Sequence, residues 1–310
     1  MKNTFIKTYF AAFKKIGVST ELQLFRMRKD QVIQKVSYDH ADYDGIAAIV
    51  DLAKKSGSSF TPPKTFYTPE PSLLVRLREL AYWYVKFWPF KPSHWISKGK
   101  GQRVSAWSEF PSDKNLSSND LNVHLLLSLD KTAIGYLKKP EHYRMWMVPV
   151  SLYEKIDQTI DGGNKVSFID IKIDKSTTTQ TAKEQIRQSL KRKNYWGTLL
   201  TLKPAAFVGV HLFALFLKTA HLSFRRTGTL TNMGEWTISS LPEDEWWVFG
   251  DGMVALMNPV VGTAMVVNSR LGVSIIFHES LGMTHENADL FLAEWKSNFS
   301  AMIHPTPVVS

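Results

Sequence analysis

The chain has 310 residues, enough for one large domain or two lobes around a buried core. Its 44% hydrophobic and 21% charged residues exclude a disordered chain, and the absence of cysteine excludes disulfides, thiolate metal sites and a cysteine nucleophile. A net charge of +10 suits an anionic partner: nucleic acid, a phosphorylated cofactor, an acidic carrier protein or a membrane face. The sequence carries no zinc-finger ligands, RNP-like aromatic motif or basic-zipper heptads, so a nucleic-acid partner is not expected.

The N-terminus has neither a continuous apolar stretch nor a small-residue cleavage site, which leaves a cytoplasmic protein as the expectation. Phe5, Tyr9, Phe13 and Ile16 recur at helical spacing across residues 3–16. Alternating runs 22–28 and 31–38 flank Lys29-Asp30 and predict a β-hairpin. After a turn at 40–45, residues 46–53 form an apolar helix, stopped by Lys54-Lys-Ser-Gly, and Pro62-Pro63 opens a linker. Another helix covers 71–88. The segment 81–103 is rich in aromatic and basic residues and has no acidic one; it reads as a helix packed on the core with a basic tail, or as a peripheral membrane contact.

Downstream, helices are expected at 118–129, with Ser118 or Asn119 as cap, and at 181–193, 207–222 and 287–302. The last presents Leu290, Phe291, Trp295 and Phe299 as its apolar side. Strands are expected at 145–152, 166–173, 229–232, 246–248, 262–268 and 273–278. The order of elements argues for an α/β layered fold. The apolar run from Pro204 to Leu217 is short of the ~20 residues that span a bilayer.

His40 stands between a strand and a helix, with Asp44 and Gly45 following. Such a turn exposes an imidazole at a sheet edge, where it can take a proton from an alcohol or amine attacking a carbonyl. Gly45 admits a backbone conformation that other residues resist. By itself the pattern is weak and better suits an Asp-rich loop capping the next helix. Asp39, His40, Asp42 and Asp44 are also adequate cation ligands. His278-Glu-Ser280 lacks the first glycine of a nucleophile elbow and reads as a strand end. His211 and His221 read as packing or capping residues, Phe249–Gly252 as a turn, and Asp161-Gly-Gly-Asn164 as a loop too glycine-poor to cradle phosphate.

The run Val36-Ser-Tyr-Asp-His40-Ala-Asp-Tyr-Asp44-Gly45 resembles the HHxxxDG motif of the chloramphenicol-acetyltransferase-like superfamily, which includes condensation domains, polyketide-associated acyltransferases and wax-ester synthases. Further resemblances follow in order. The helix start Ser117-Ser-Asn-Asp, the strand Met147-Val-Pro-Val-Ser-Leu152, the segment Gly228-Thr-Leu-Thr-Asn232-Met-Gly234 and the closing strands and helix together cover most of residues 20–303. The resemblance implies a CoA-dependent-acyltransferase-like, two-layer α/β fold with a mixed sheet and a tunnel between lobes. It implies His40 as the catalytic histidine, Asp44 and Gly45 as structural support, and Asn232 and Gly234 near the oxyanion environment. A metal centre is not implied, since Tyr43 and Gly45 fit the acyltransferase pattern.

Asp39 stands where the first histidine would be, and Tyr153 where many relatives have arginine; Arg26 and Arg28 are the nearest candidates to pair with Asp44. The motif comes early, so residues 1–60 read as a remnant of the first lobe, 61–103 as a linker with the aromatic-basic helix, and 104–310 as the second lobe. A homo-oligomer would then complete the tunnel. The expected function is transfer of an acyl group from acyl-CoA or an acyl-carrier protein to a hydroxyl or amine, with no bound cofactor. The alternative is a non-catalytic interaction or membrane-associated protein that keeps the fold.

Overall fold

The computed structural model describes residues 4–65, 68–87, 93–113, 116–201, 204–223 and 226–304. The chain opens with α1 (Thr4–Lys15), the hairpin β1 (Glu21–Arg28) and β2 (Gln31–Asp39), and then α2 (Gly45–Lys55). Lys29 takes φ +52° at the hairpin tip, as a tight turn requires. Next come the short β3 (Phe60–Thr61), α3 (Leu73–Phe87), β4 (Val104–Phe110) and α4 (Ser118–Ala133). β5 (Arg144–Ser151) and β6 (Val166–Ile173) form a second hairpin, followed by α5 (Thr179–Arg192), α6 (Asn194–Thr198) and α7 (Pro204–Ser223). The remainder is β7 (Gly228–Ile238), β8 (Glu245–Asp251), β9 (Val260–Val267), β10 (Arg270–Phe277) and α8 (His285–Ile303).

Two sheets form. The larger has seven strands, β4-β10-β9-β7-β5-β6 with β3 on β7; β7 runs parallel to both β5 and β9. The smaller is β2-β1-β8. Its third strand comes from far along the chain: Glu245–Asp251 pair with Arg28–Gln23, so the first hairpin is completed by the second half of the sequence. The larger core lies between the seven-stranded sheet and α4 and α8, where Trp146, Trp295, Phe277, Phe291 and Phe299 are fully buried. β9 and β10 are buried almost throughout, as central strands covered on both faces must be. A second core joins α2 and the small sheet to β7 and β9 through Ile49, Trp236 and Phe249.

Several expected details differ. Ser117, not Ser118 or Asn119, caps α4, because its hydroxyl accepts from the Asp120 N–H. Phe249–Asp251 lie in β8 rather than in a turn, held there by pairing with β1. Leu290 is 58% exposed, so the apolar side of α8 is Phe291, Trp295 and Phe299. α7 carries a break at Gly209 (φ +73°, ψ 170°). No helix among the described residues is long and apolar enough to cross a membrane. In the segment 81–103, Trp83, Phe87 and Trp95 are buried; residues 88–92, with Trp88, Phe90 and Lys91, lie outside the described residues.

Two buried ion pairs tie layers together. Arg144 on β5 grips Asp130 of α4 through Nε (2.9 Å) and Nη2 (2.6 Å), and the Trp146 indole adds a third donor at 2.7 Å. Arg226, just before β7, binds Asp170 of β6, which also accepts from Trp83 of α3 at 2.7 Å. Removing one partner of such a pair strands the other charge away from water. Asp130→Ala is expected to cost about 3–5 kcal/mol in urea unfolding. A loss below about 1 kcal/mol, the scale of exposed pairs, would contradict this reading.

Candidate active site

β2 ends at Asp39, and the turn that follows delivers His40. The Asp42 and Tyr43 N–H groups donate back to the Asp39 carbonyl at 2.9 Å each, closing the turn. His40 Nδ1 lies 3.0 Å from the Tyr43 carbonyl oxygen. A carbonyl only accepts, so the proton sits on Nδ1 and the lone pair on Nε2. The Asn164 amide donates to the His40 carbonyl at 3.1 Å and stands 3.4 Å from Nδ1. We take the carbonyl as its partner, because a protonated Nδ1 cannot accept. Phe10 of α1 covers the ring with centroids 5.0 Å apart.

Asp44 is wholly buried and serves three purposes at once. Its Oδ1 accepts from the Ala47 N–H at 2.9 Å and so caps α2; its Oδ2 accepts from the Lys165 N–H at 2.9 Å. The Tyr153 hydroxyl donates to Oδ1 at 3.3 Å. Tyr153 thus occupies the place expected for an arginine. Arg26 and Arg28 instead hold Glu245 at the far end of β1. The register explains why: Asp39 faces Glu21, and Arg26 lies five residues along, about 17 Å at the rise of an antiparallel strand.

Gly45 is needed for space rather than for its dihedrals, contrary to the sequence expectation. It opens α2 without a positive φ, and a Cβ there would lie 2.2 Å from Met233 Cε and 3.4 Å from Phe249. The loop 161–165 locks onto the same turn. The Gly163 N–H donates to the Asp42 carbonyl and its carbonyl accepts from Asp44 N–H at 3.0 Å, while Gly162 adopts φ +69° against the Asp42 carbonyl. Asp161-Gly-Gly-Asn164 is therefore part of the site's frame. Its only advance signal was the Gly-Gly pair, and nothing local connected it to His40.

The other acids of the turn face elsewhere. Asp39 accepts from Lys14 (2.5 Å), Thr20 (2.9 Å) and the Ala41 N–H (3.0 Å). Burial opposes its charge, but these donors outweigh burial and hold the carboxyl below the usual range. Asp42 pairs with Lys7 at 2.9 Å. Burial pushes His40 below the ordinary imidazole range, against the Tyr43 carbonyl and the Asp44 and Asp39 charges. Burial likewise raises the Asp44 carboxyl, despite its backbone and Tyr153 donors. Tyr153 is raised by burial and by Asp44, and so stays a hydroxyl donor.

His40 lies in the wall of a cavity of about 570 Å³. Residues of α1, α2, α3 and α7 line it together with residues of β1 and β5 to β9. The lining is mostly apolar. Asn232 reaches the wall, but its amide is engaged within the protein: Nδ2 donates to Asn122 at 2.8 Å and Oδ1 accepts from the Gly234 N–H at 2.9 Å. Gly234 takes φ +77° against Pro63 at an irregularity of β7.

The remaining candidates stand apart. His211 is exposed and meets Lys15 Nζ at 2.7 Å, rather than packing in the core. The His221 side chain lies outside the described residues. His278 Nδ1 accepts from the Ser280 N–H at 3.1 Å, with the Ser280 hydroxyl 2.9 Å away, so it caps a turn.

No protein-family model matches the sequence, and no curated protein matches it. Solved structures do. A starter condensation domain of rhizomide synthetase RzmA, a mutant in complex with C8-CoA and Leu-SNAC, superposes with TM-score 0.55 at 11% identity, over 86% of this chain and 65% of its own. The trichothecene 15-O-acetyltransferase TRI3 of Fusarium sporotrichioides gives 0.53 at 11%, over 90% and 70%. The EpoB cyclization-docking bidomain of Sorangium cellulosum gives 0.52 at 10%, over 88% and 60%. The chain has the mixed α/β fold of these condensation-domain and acyltransferase structures. It spans 60–70% of the length of these structures.

Two outcomes are expected. Tyr153→Phe should cost about 1–3 kcal/mol of stability, because the buried Asp44 carboxyl loses a donor; unchanged urea unfolding would contradict the assigned bond. If His40 works as a base, its depressed pKa keeps it neutral as pH falls, so the acid limb of kcat/KM should have its midpoint below ~6.5. A midpoint above that value would contradict a desolvated His40.

Proposed function

We propose that the chain is an acyltransferase that moves an acyl group from a thioester to a hydroxyl or amine, with His40 as general base. The observation that carries this is the placement of His40: Nδ1 is tied to the Tyr43 carbonyl, and the ring lies in the wall of a mostly apolar cavity. A base needs an unprotonated nitrogen where substrate can reach it, and the tautomer leaves Nε2 in that state.

In the proposed step Nε2 takes the acceptor's O–H or N–H proton as the acceptor attacks the thioester carbonyl. The new C–O or C–N bond forms, the C–S bond breaks, and the proton passes from His40 to the thiolate. Asp44 acts through the frame: it fixes the start of α2 and the loop at Lys165, and with them the turn that bears His40. Gly45 lets α2 approach Met233. Asn232 and Gly234 would shape the strand end beside the cavity, with the Asn232 amide spent on Asn122 and Gly234. The donor would be acyl-CoA or an acyl-carrier protein, and no bound cofactor is required. The apolar lining suits a lipophilic acyl chain or acceptor.

The test is thiol release and product mass with medium-chain acyl-CoA and a panel of alcohols and amines. His40→Ala should lower turnover about 10²–10⁴-fold without changing the unfolding midpoint. Equal turnover in the variant would overturn the role of His40, and no turnover of any thioester by the wild type would favour a non-catalytic protein.

A further inference from the structure

The helices that border the cavity carry apolar surface that the fold does not bury. On α7, Phe213, Ala214 and Leu217 pack inward against Phe13 and Ala12 of α1. The opposite face, Leu212, Leu215 and Phe216, is 54–62% exposed, and before the break at Gly209 Val208 (42%) and Phe207 (87%) are exposed as well. On α3, Trp83 and Phe87 are buried, whereas Leu74 (78%), Leu77 (48%), Tyr84 (40%) and Val85 (74%) are exposed. Beyond the break at Gly209, Leu212, Leu215 and Phe216 recur at three and four residues, and on α3 Leu74, Leu77, Tyr84 and Val85 recur at three, seven and eight, a stripe along one face of each helix. Tyr84 and Phe216 both line the His40 cavity and are both exposed, so the cavity opens between the two stripes.

The helices around this opening carry an excess of cations, four of which are paired: Lys7 with Asp42, Lys14 with Asp39, Arg76 with Glu70 and Arg78 with Glu79. α1, α3 and α7 contain seven lysines and arginines and a single acid, Glu79, which is 1% exposed and held by Arg78 and Arg192. Lys15, Lys86 and Lys218 form no ion pair with a carboxylate among the described residues. An apolar stripe fringed by cations complements the acyl region and anionic headgroups of a bilayer. A second copy would bring the same cations face to face in a chain of net charge +10.

We propose that the exposed faces of α3 and α7 dock on an anionic lipid surface, with the cavity mouth turned toward the bilayer. Docking is independent of the chemistry at His40. Delivery of a lipophilic acyl chain or acceptor from the bilayer to Nε2, without passage through water, rests on the acyl-transfer reading.

The experiment is flotation of the whole chain with vesicles of phosphatidylcholine alone or mixed with phosphatidylglycerol, at low and high salt. Wild type and His40→Ala should float with the anionic vesicles and less so in high salt. The double variants Leu212→Glu/Leu215→Glu and Leu74→Glu/Val85→Glu, whose altered side chains are exposed and should leave the unfolding midpoint unchanged, should each float at least ~10-fold less. Failure of the wild type to float, or flotation of both double variants like wild type, would overturn docking. So would a dimer in light scattering that both variants dissolve while the wild type ignores vesicles. Because His40→Ala is expected to float, loss of the acyl-transfer reading would leave this result intact, and the two failures can be told apart.

Discussion

The geometry around His40 depends on one buried carboxylate. Asp44 is held by two backbone N–H groups and the Tyr153 hydroxyl. These bonds join the turn after β2 and the adjoining start of α2 to the segment between β5 and β6, more than a hundred residues along the chain. A carboxylate is costly to bury unless donors meet it, so this turn and that segment are stable only together. Burial raises Asp44 and lowers His40, so the surroundings disfavour charge on both. The Nδ1–H that reaches the Tyr43 carbonyl leaves the lone pair on Nε2.

The small sheet shows a comparable dependence. β1 and β2 form a hairpin by local alternation, but β8 completes it from the second half of the chain. Glu245 draws Arg26 and Arg28 to that edge, which keeps both cations away from Asp44. Tyr153 is therefore more than a departure from a motif. It gives the carboxyl a neutral donor on a site whose other charges, on Asp39 and Asp42, are already paired with Lys14 and Lys7.

Much of the fold could be read from local pattern, because period-2 and period-3.6 burial are local properties. The β1–β2 hairpin, α2, the buried strands β9 and β10, and the aromatic face of α8 all follow that way. His40 and Asp44 were legible because turn, cap and motif fall within a few residues. Tyr153, Asn164 and Lys165 were not legible as a frame, since more than a hundred residues separate them from His40 and only tertiary packing unites them. Gly45 was singled out for the wrong reason: its neighbour Met233 sits on another element, and no local pattern announces a steric contact. The length of β7 and the pairing of β8 with β1 were hidden for the same cause.

The proposed acyl transfer requires His40 Nε2 to accept a proton inside the cavity. A crystal structure with a non-hydrolysable acyl-CoA analogue and an alcohol or amine acceptor bound would test this most directly. The acceptor's oxygen or nitrogen is expected within ~2.6–3.2 Å of Nε2, with Nδ1 still on the Tyr43 carbonyl. Both ligands bound outside the cavity, or an acceptor in the cavity with His40 turned away from it, would contradict the account.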